Sequence, residues 1–408
     1  MMHLKFSSVV VLALSVVSSQ CWPDMPFHTN GRWISNAKGK NVTYVGVNWP
    51  GAADVMIPEG LQYTSIAKIV SDIKSLGMNA IRLTFAIEMI DDILDKGGDV
   101  KLSAAFNKAL GATNGSVAYQ KVLKNNPGFS ASTTRLQVYD AIAAECFKQQ
   151  IYIQLDNHMS NGYWCCGSDD GNAWFGDKYF NVAKWKRGLE YMVKHGKSWP
   201  ALTSIGMRNE LRDPVNNATL RPTYNWSVWY TNMVAASKII NAANPDLLVL
   251  FSGLNYDTQL GPVVEGTDLG NGVRFRKADF GFQDKIILEL HNYDNSATAC
   301  SSIQSSLFNN GFSTLTATKA NTLPMLLTEW GHNQADNSYK GVYATCLRSY
   351  LPAQKVGWFY WVVAGSYYIR SGTQDYEETW GLYNHDWSGW RSAANIVEMK
   401  KMVKASLG

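Results

Sequence analysis

Residues 202–210 read LTSIGMRNE, an apolar run that stops abruptly at an amide and a carboxylate. Its apolar part has the length of a buried strand and is too short for a helix. A buried strand ending this way sets Asn209 and Glu210 at a rim, where an ionisable group has to be hydrogen-bonded or functional. Residues 324–329, PMLLTE, repeat the arrangement and end in Glu329. Similar β-branched and aliphatic runs lie at 43–48, 79–84, 151–156, 203–208, 248–252, 285–290, 324–328 and 357–361. Segments of helical period separate many of them, at 65–76, 136–149, 182–195, 228–243 and 340–351, and 393–406 closes the chain. Strands alternating with helices call for a parallel sheet, and eight such units predict an α/β fold, a (β/α)8 TIM barrel with long βα loops. An open doubly wound sheet is the alternative, but TYVGVNWPG at 43–51 lacks the glycine spacing of a dinucleotide turn.

Composition fits one globular unit. The 408 residues are 46% hydrophobic and 12% aromatic, ample material for a core. Lys and Arg number 37 against 33 Asp and Glu, a net charge of +4 with no basic block, which argues against a nucleic-acid partner. No linker or low-complexity tract interrupts 20–408, so these residues are expected to form a single domain. Residues 1–19 carry Lys5, an apolar stretch over 9–17 and small residues at 17 and 19, the pattern of a cleaved signal peptide. The expectation is a secreted, extracellular, monomeric protein with no membrane segment in its mature form. Sequons at Asn41, Asn114, Asn217 and Asn225 fit that route. So do six cysteines, an even set for an oxidising compartment. Cys300 with Cys346 is the favoured bridge. Adjacent Cys165 and Cys166 are expected to reach separate partners, because a bridge between neighbours strains the peptide.

The residues collected at the expected strand ends include Asn48, Arg82, His158, Asn209, Glu210, His291, Tyr293, Glu329 and Trp361. Taken singly, each has an ordinary structural explanation, such as a rim ion pair or a satisfied donor. Together, Glu210 and Glu329 follow the fourth and seventh strands, which face each other across a barrel mouth. Opposed carboxyls suit glycosidic bond hydrolysis, where one protonates the leaving oxygen and the other attacks the anomeric carbon. In such a site Arg82 can hold Glu329 ionised and Tyr293 can donate to it. Asn209 can bind a sugar 2-hydroxyl, and His158 and His291 can hydrogen-bond sugar hydroxyls or the carboxyls. Fifteen Trp and 20 Tyr offer flat rings for sugar faces, with Trp361 the strongest candidate platform.

These motifs in this order, IRLTF, LDNH, MRNE, HNY, LLTEWG and WFYW, resemble glycoside hydrolase family 5, the cellulase family of retaining barrel enzymes. The resemblance implies Glu210 as acid/base and Glu329 as nucleophile, with Arg82, His158, Asn209, His291, Tyr293 and Trp361 binding substrate. It implies no metal and no organic cofactor. The expected function is a secreted endo-β-1,4-glucanase acting on a polysaccharide or oligosaccharide. The alternatives are the same chemistry on β-mannan, xyloglucan, β-1,6-galactan or a glycolipid, or a non-catalytic carbohydrate-binding barrel. No Gly-x-Ser-x-Gly elbow and no His-Glu-x-x-His spacing occurs, which disfavours serine and zinc hydrolases.

Overall fold

A computed structural model describes residues 22–316 and 318–408; the signal-peptide expectation and Cys21 lie outside them. Eight parallel strands close into a barrel, here β1 (Val45–Trp49), β2 (Ala80–Ala86), β3 (Tyr152–Met159), β4 (Leu202–Gly206), β5 (Leu248–Phe251), β6 (Ile286–Asn292), β7 (Met325–Trp330) and β8 (Gly357–Tyr360). Each coincides with one of the eight runs read from the sequence. The last strand pairs with the first, Trp358 opposite Val45, so the sheet has no free edge.

The helices form because their apolar residues recur on one face. In Ile66–Ser75 the buried positions are Ile66, Ile69, Val70 and Ile73, and Ser65 caps the helix by accepting the Lys68 amide at 3.2 Å. Asn181 does the same for Val182–His195, which buries Trp185, Leu189 and Met192. Between β2 and its returning helix Arg135–Gln149 the chain inserts three further helices, Ile87–Asp95, Leu102–Leu110 and Ala112–Asn125. Helix Cys300–Asn310 lies outside the expected set, since it buries only Ile303 and Leu307 and its apolar stripe is thin.

The barrel floor is plugged by a cluster of Phe27, Ile34, Tyr44, Leu248, Leu250, Ile287, Leu326 and Phe359, to which the N-terminal hairpin His28–Asn30/Trp33–Ser35 contributes Ile34. With the floor filled by apolar side chains, polar residues on the strands accumulate toward the opposite, C-terminal end. A second hairpin, Ser366–Arg370/Thr373–Glu377, follows β8.

Cys300 and Cys346 are joined, their Cα atoms 5.3 Å apart, and link the helices that follow β6 and β7. The expectation for the other pair is corrected: Cys165 and Cys166 are bonded to each other, not to separate partners. The peptide between them is cis and their Cα atoms stand 3.1 Å apart, a conformation outside the trans geometry that the expectation assumes.

Candidate active site

Arg82 points from β2 into the barrel, and none of it is exposed. One guanidinium nitrogen donates to Asn48 Oδ1 at 2.9 Å and to Glu329 Oε1 at 2.6 Å; the other donates to Asn209 Oδ1 at 2.8 Å and pairs with Asp156 Oδ1 at 2.9 Å. Register explains the convergence. Asn48 on β1 lies opposite Arg82, and Glu329 on β7 lies opposite His291 on β6. Burial alone would lower the Arg82 pKa, but Asp156 and Glu329 outweigh it and hold the group cationic. Asp156 is pushed up by burial and pulled further down by Arg82 and His158, so it ends below its ordinary value. Gly206 makes room for this network: a Cβ there would stand 2.8 Å from Asp156 Oδ1.

Glu329 also receives the Tyr293 hydroxyl at 2.8 Å on Oε2. Glu210 follows β4 with its backbone at φ +42°, a left-handed conformation uncommon for a residue with a side chain. Its main chain is gripped by Arg212, which donates to the Glu210 carbonyl at 2.9 Å. The Glu210 carboxyl faces His291 Nδ1 at 3.0 Å. Burial raises its pKa, against the lowering fields of Arg212, His158 and Arg82. Carboxyl oxygens of Glu210 and Glu329 lie within 4.8 Å of each other, with His291 between them. Burial depresses the His291 imidazole to about 4, so the ring is neutral across mildly acidic pH.

His158 Nδ1 binds Asp156 Oδ2 at 2.8 Å, and its ring lies parallel to Trp361, centroids 5.6 Å apart. Trp361, directly after β8, is partly exposed and meets Trp164 edge-on at 6.3 Å. These two rings, Tyr293, Trp380 and the second hairpin enclose a cavity of about 650 Å³. A cavity of about 730 Å³ at the barrel's other end, around Trp22, Trp199 and Leu247, holds none of these groups.

All eight candidate catalytic and binding residues that the sequence points to therefore meet at one rim. Three further contributors, Asp156 within the LDNH motif and Trp164 and Trp380 among the many aromatic residues, receive no individual role from the sequence. Asp156 sits two residues before His158 and so shares its face of β3, a signal the period of a strand supplies. Trp164 and Trp380 sit in loops, where no periodicity separates them from the other tryptophans. Conversely, Trp49, Trp174, Trp229, Trp330 and Trp387 are buried in the core and are unavailable to a sugar.

A triad of Glu210, His291 and Glu329 has a spacing that a metal ion could span. It does not fit one: Glu329 already has Arg82 and Tyr293 as donors, and the guanidinium occupies the place of the countercharge.

A closed parallel barrel with two carboxyls meeting over its C-terminal rim, one held by a cation and the other raised by burial, defines a glycoside hydrolase. Residues 35–366 match the model of the cellulase family, glycosyl hydrolase family 5, and the chain belongs to that family. A glycosyl hydrolase 5 family protein from Chamaecyparis obtusa is 32% identical over 98% of this chain and 69% of its own length. An endoglucanase from Paenibacillus polymyxa is 21% identical over 89% of this chain and 84% of its own. The fold is similar to that of the catalytic domain of the major endoglucanase from Xanthomonas campestris (TM-score 0.68, 17% identity, covering 93% of this chain and 99% of that one). It is likewise similar to an endocellulase from Pyrococcus horikoshii solved in complex with cellotetraose (TM-score 0.69, 15% identity, 94% and 100%).

Proposed function

We propose that this glycoside hydrolase is a secreted endo-β-1,4-glucanase that cleaves with retention of configuration. The observation that carries the mechanism is that an oxygen of the Glu210 carboxyl and one of the Glu329 carboxyl lie within 4.8 Å, both in reach of His291 Nδ1. Retaining enzymes set the pair roughly 5 to 5.5 Å apart, whereas inversion needs about 6.5 to 9.5 Å to admit a water. The substrate reading is supported by the endoglucanase named among its relatives and by the cellotetraose-bound neighbour. Secretion is supported by the leader-like residues 1–19 and by two disulfides.

In the first step Glu329 Oε2 or Oε1 attacks the anomeric carbon while the Glu210 carboxyl gives its proton to the glycosidic oxygen, which leaves with the aglycone. In the second, Glu210, now a carboxylate, takes a proton from water as that water attacks the same carbon and releases Glu329. Arg82 and Tyr293 orient the nucleophile and take up its charge between steps. Asn209, fixed by Arg82, presents its amide to the sugar 2-hydroxyl, a bond that strengthens in the transition state.

The test uses aryl β-cellobiosides with azide. Glu329→Ala is inactive, and azide restores turnover as an α-glycosyl azide; Glu210→Ala on the same substrates yields the β-azide. Wild-type turnover by Glu329→Ala would reject the reading, and a polysaccharide panel scored for reducing ends identifies the polymer. Because Glu210 must be protonated, the rate falls as pH rises through its raised pKa, giving an acidic to near-neutral optimum. A rate still climbing above about pH 9 would contradict it.

A further inference from the structure

The bonded pair Cys165–Cys166 lies on the loop after β3, half-exposed at the rim of the cleft. Both sulfurs stand 3.5 Å from Asn209 Nδ2, and both lie within 4.8 Å of a Glu210 carboxyl oxygen. Asn209 is 1% exposed, and its other amide atom is taken by Arg82 at 2.8 Å. The side-chain amide is thus held at both ends, by a guanidinium on one side and by a disulfide on the other. Sulfur is a weak acceptor, so the contact acts through shape and placement more than through bond strength. The loop is itself tied to the acid/base. Arg212 donates to Gly167 O at 2.7 Å and pairs with Asp170 while donating to the Glu210 carbonyl, so the segment carrying the disulfide and the segment carrying Glu210 share one guanidinium.

We propose that the Cys165–Cys166 disulfide is a positioning element of the active site: it fixes the Asn209 amide toward the sugar 2-hydroxyl. This rests on the function proposed above. Two bonded sulfurs present a hard, apolar surface with no donor, which no pair of separate side chains reproduces at adjacent positions. The consequence falls on kcat more than on KM, because the 2-hydroxyl bond gains strength only as the transition state forms.

The experiment is a double-mutant cycle on an aryl β-cellobioside. Intact mass after alkylation without reductant first counts the free thiols, and unmodified Cys165 and Cys166 are expected. Cys165→Ala/Cys166→Ala should keep a cooperative melt and lose roughly tenfold or more in kcat, the order that a misplaced positioning group costs. In an Asn209→Ala background the same pair of changes should cost less than about twofold further, since the residue through which they act is gone. Full additivity, an effect confined to KM, an unchanged kcat, or alkylation of both thiols in the active wild type would each overturn the proposal. An inactive wild type would instead reject the underlying reading, and a variant that does not melt cooperatively is replaced by Cys165→Ser/Cys166→Ser, judged by the same cycle.

Discussion

Replacing Arg82 tests the network on which the chemistry depends. Its guanidinium holds Asn48, Glu329, Asn209 and Asp156 at 2.6 to 2.9 Å, and the whole group is buried. Lysine keeps the charge but concentrates it on one nitrogen, which cannot reach partners on opposite sides of a planar fork. If two of these hydrogen bonds are broken, at about 1 to 2 kcal/mol each, Arg82→Lys should destabilise by about 2 to 4 kcal/mol. For a chain of this size that is on the order of 3 to 5 °C in Tm. Activity should fall further, about a hundredfold in kcat, because Glu329 and Asn209 lose their common orienting group. Arg82→Gln removes the charge as well and leaves Asp156 and Glu329 without their shared buried cation, only His158 and Tyr293 remaining as hydrogen-bond partners, at a cost of about 3 to 5 kcal/mol. Calorimetry and steady-state kinetics on the two variants decide the matter. If Arg82→Gln melted no lower than Arg82→Lys, or if Arg82→Lys kept kcat within about threefold, the four-way network would not be what holds the site.

Trp361→Ala removes the ring that stacks on His158 and faces the cavity; kcat/KM on oligosaccharides should drop roughly ten- to a hundredfold, with a smaller change in melting temperature. Burial depresses His332 to about 4, as it does His291, so the unfolded chain binds protons that the folded one refuses between about pH 6.5 and 4. Stability should therefore decline as pH falls through that window, and His332→Asn should flatten the slope by up to about 1.4 kcal/mol per pH unit, read from denaturant titrations. Opening the Cys300–Cys346 bridge with Cys346→Ser frees a loop of 46 residues and should cost about 2 to 4 kcal/mol while sparing kcat.

Much of this was legible in the sequence because the barrel repeats one local rule. A short aliphatic run ending in polar residues is both a strand and an address at the rim, so finding the eight strands located Glu210, Glu329 and their partners together. Arg82 and Tyr293 could be assigned to Glu329 because charge and donor chemistry demand such neighbours. What escaped depends on contacts between distant segments or on uncommon backbone. Helix Cys300–Asn310 has too few apolar residues to show its period. The pairing of Cys165 with Cys166 needs a peptide conformation that general rules disfavour. The surplus of tryptophan reads from the sequence as a sugar-binding surface, yet Trp49, Trp185 and Trp229 are core rings whose indole N–H groups donate to backbone carbonyls of Glu59, Met207 and Ser252.

The closure of β8 on β1 carries a consequence for biosynthesis. Trp361 and the Asn48 amide sit at nearly opposite ends of the chain, and the strand that leads into one must pair with the strand that carries the other. A chain that ends before residues 357–361 leaves Val45–Trp49 and Met325–Trp330 each with an unpaired edge, so the ring cannot close until its last strand is made.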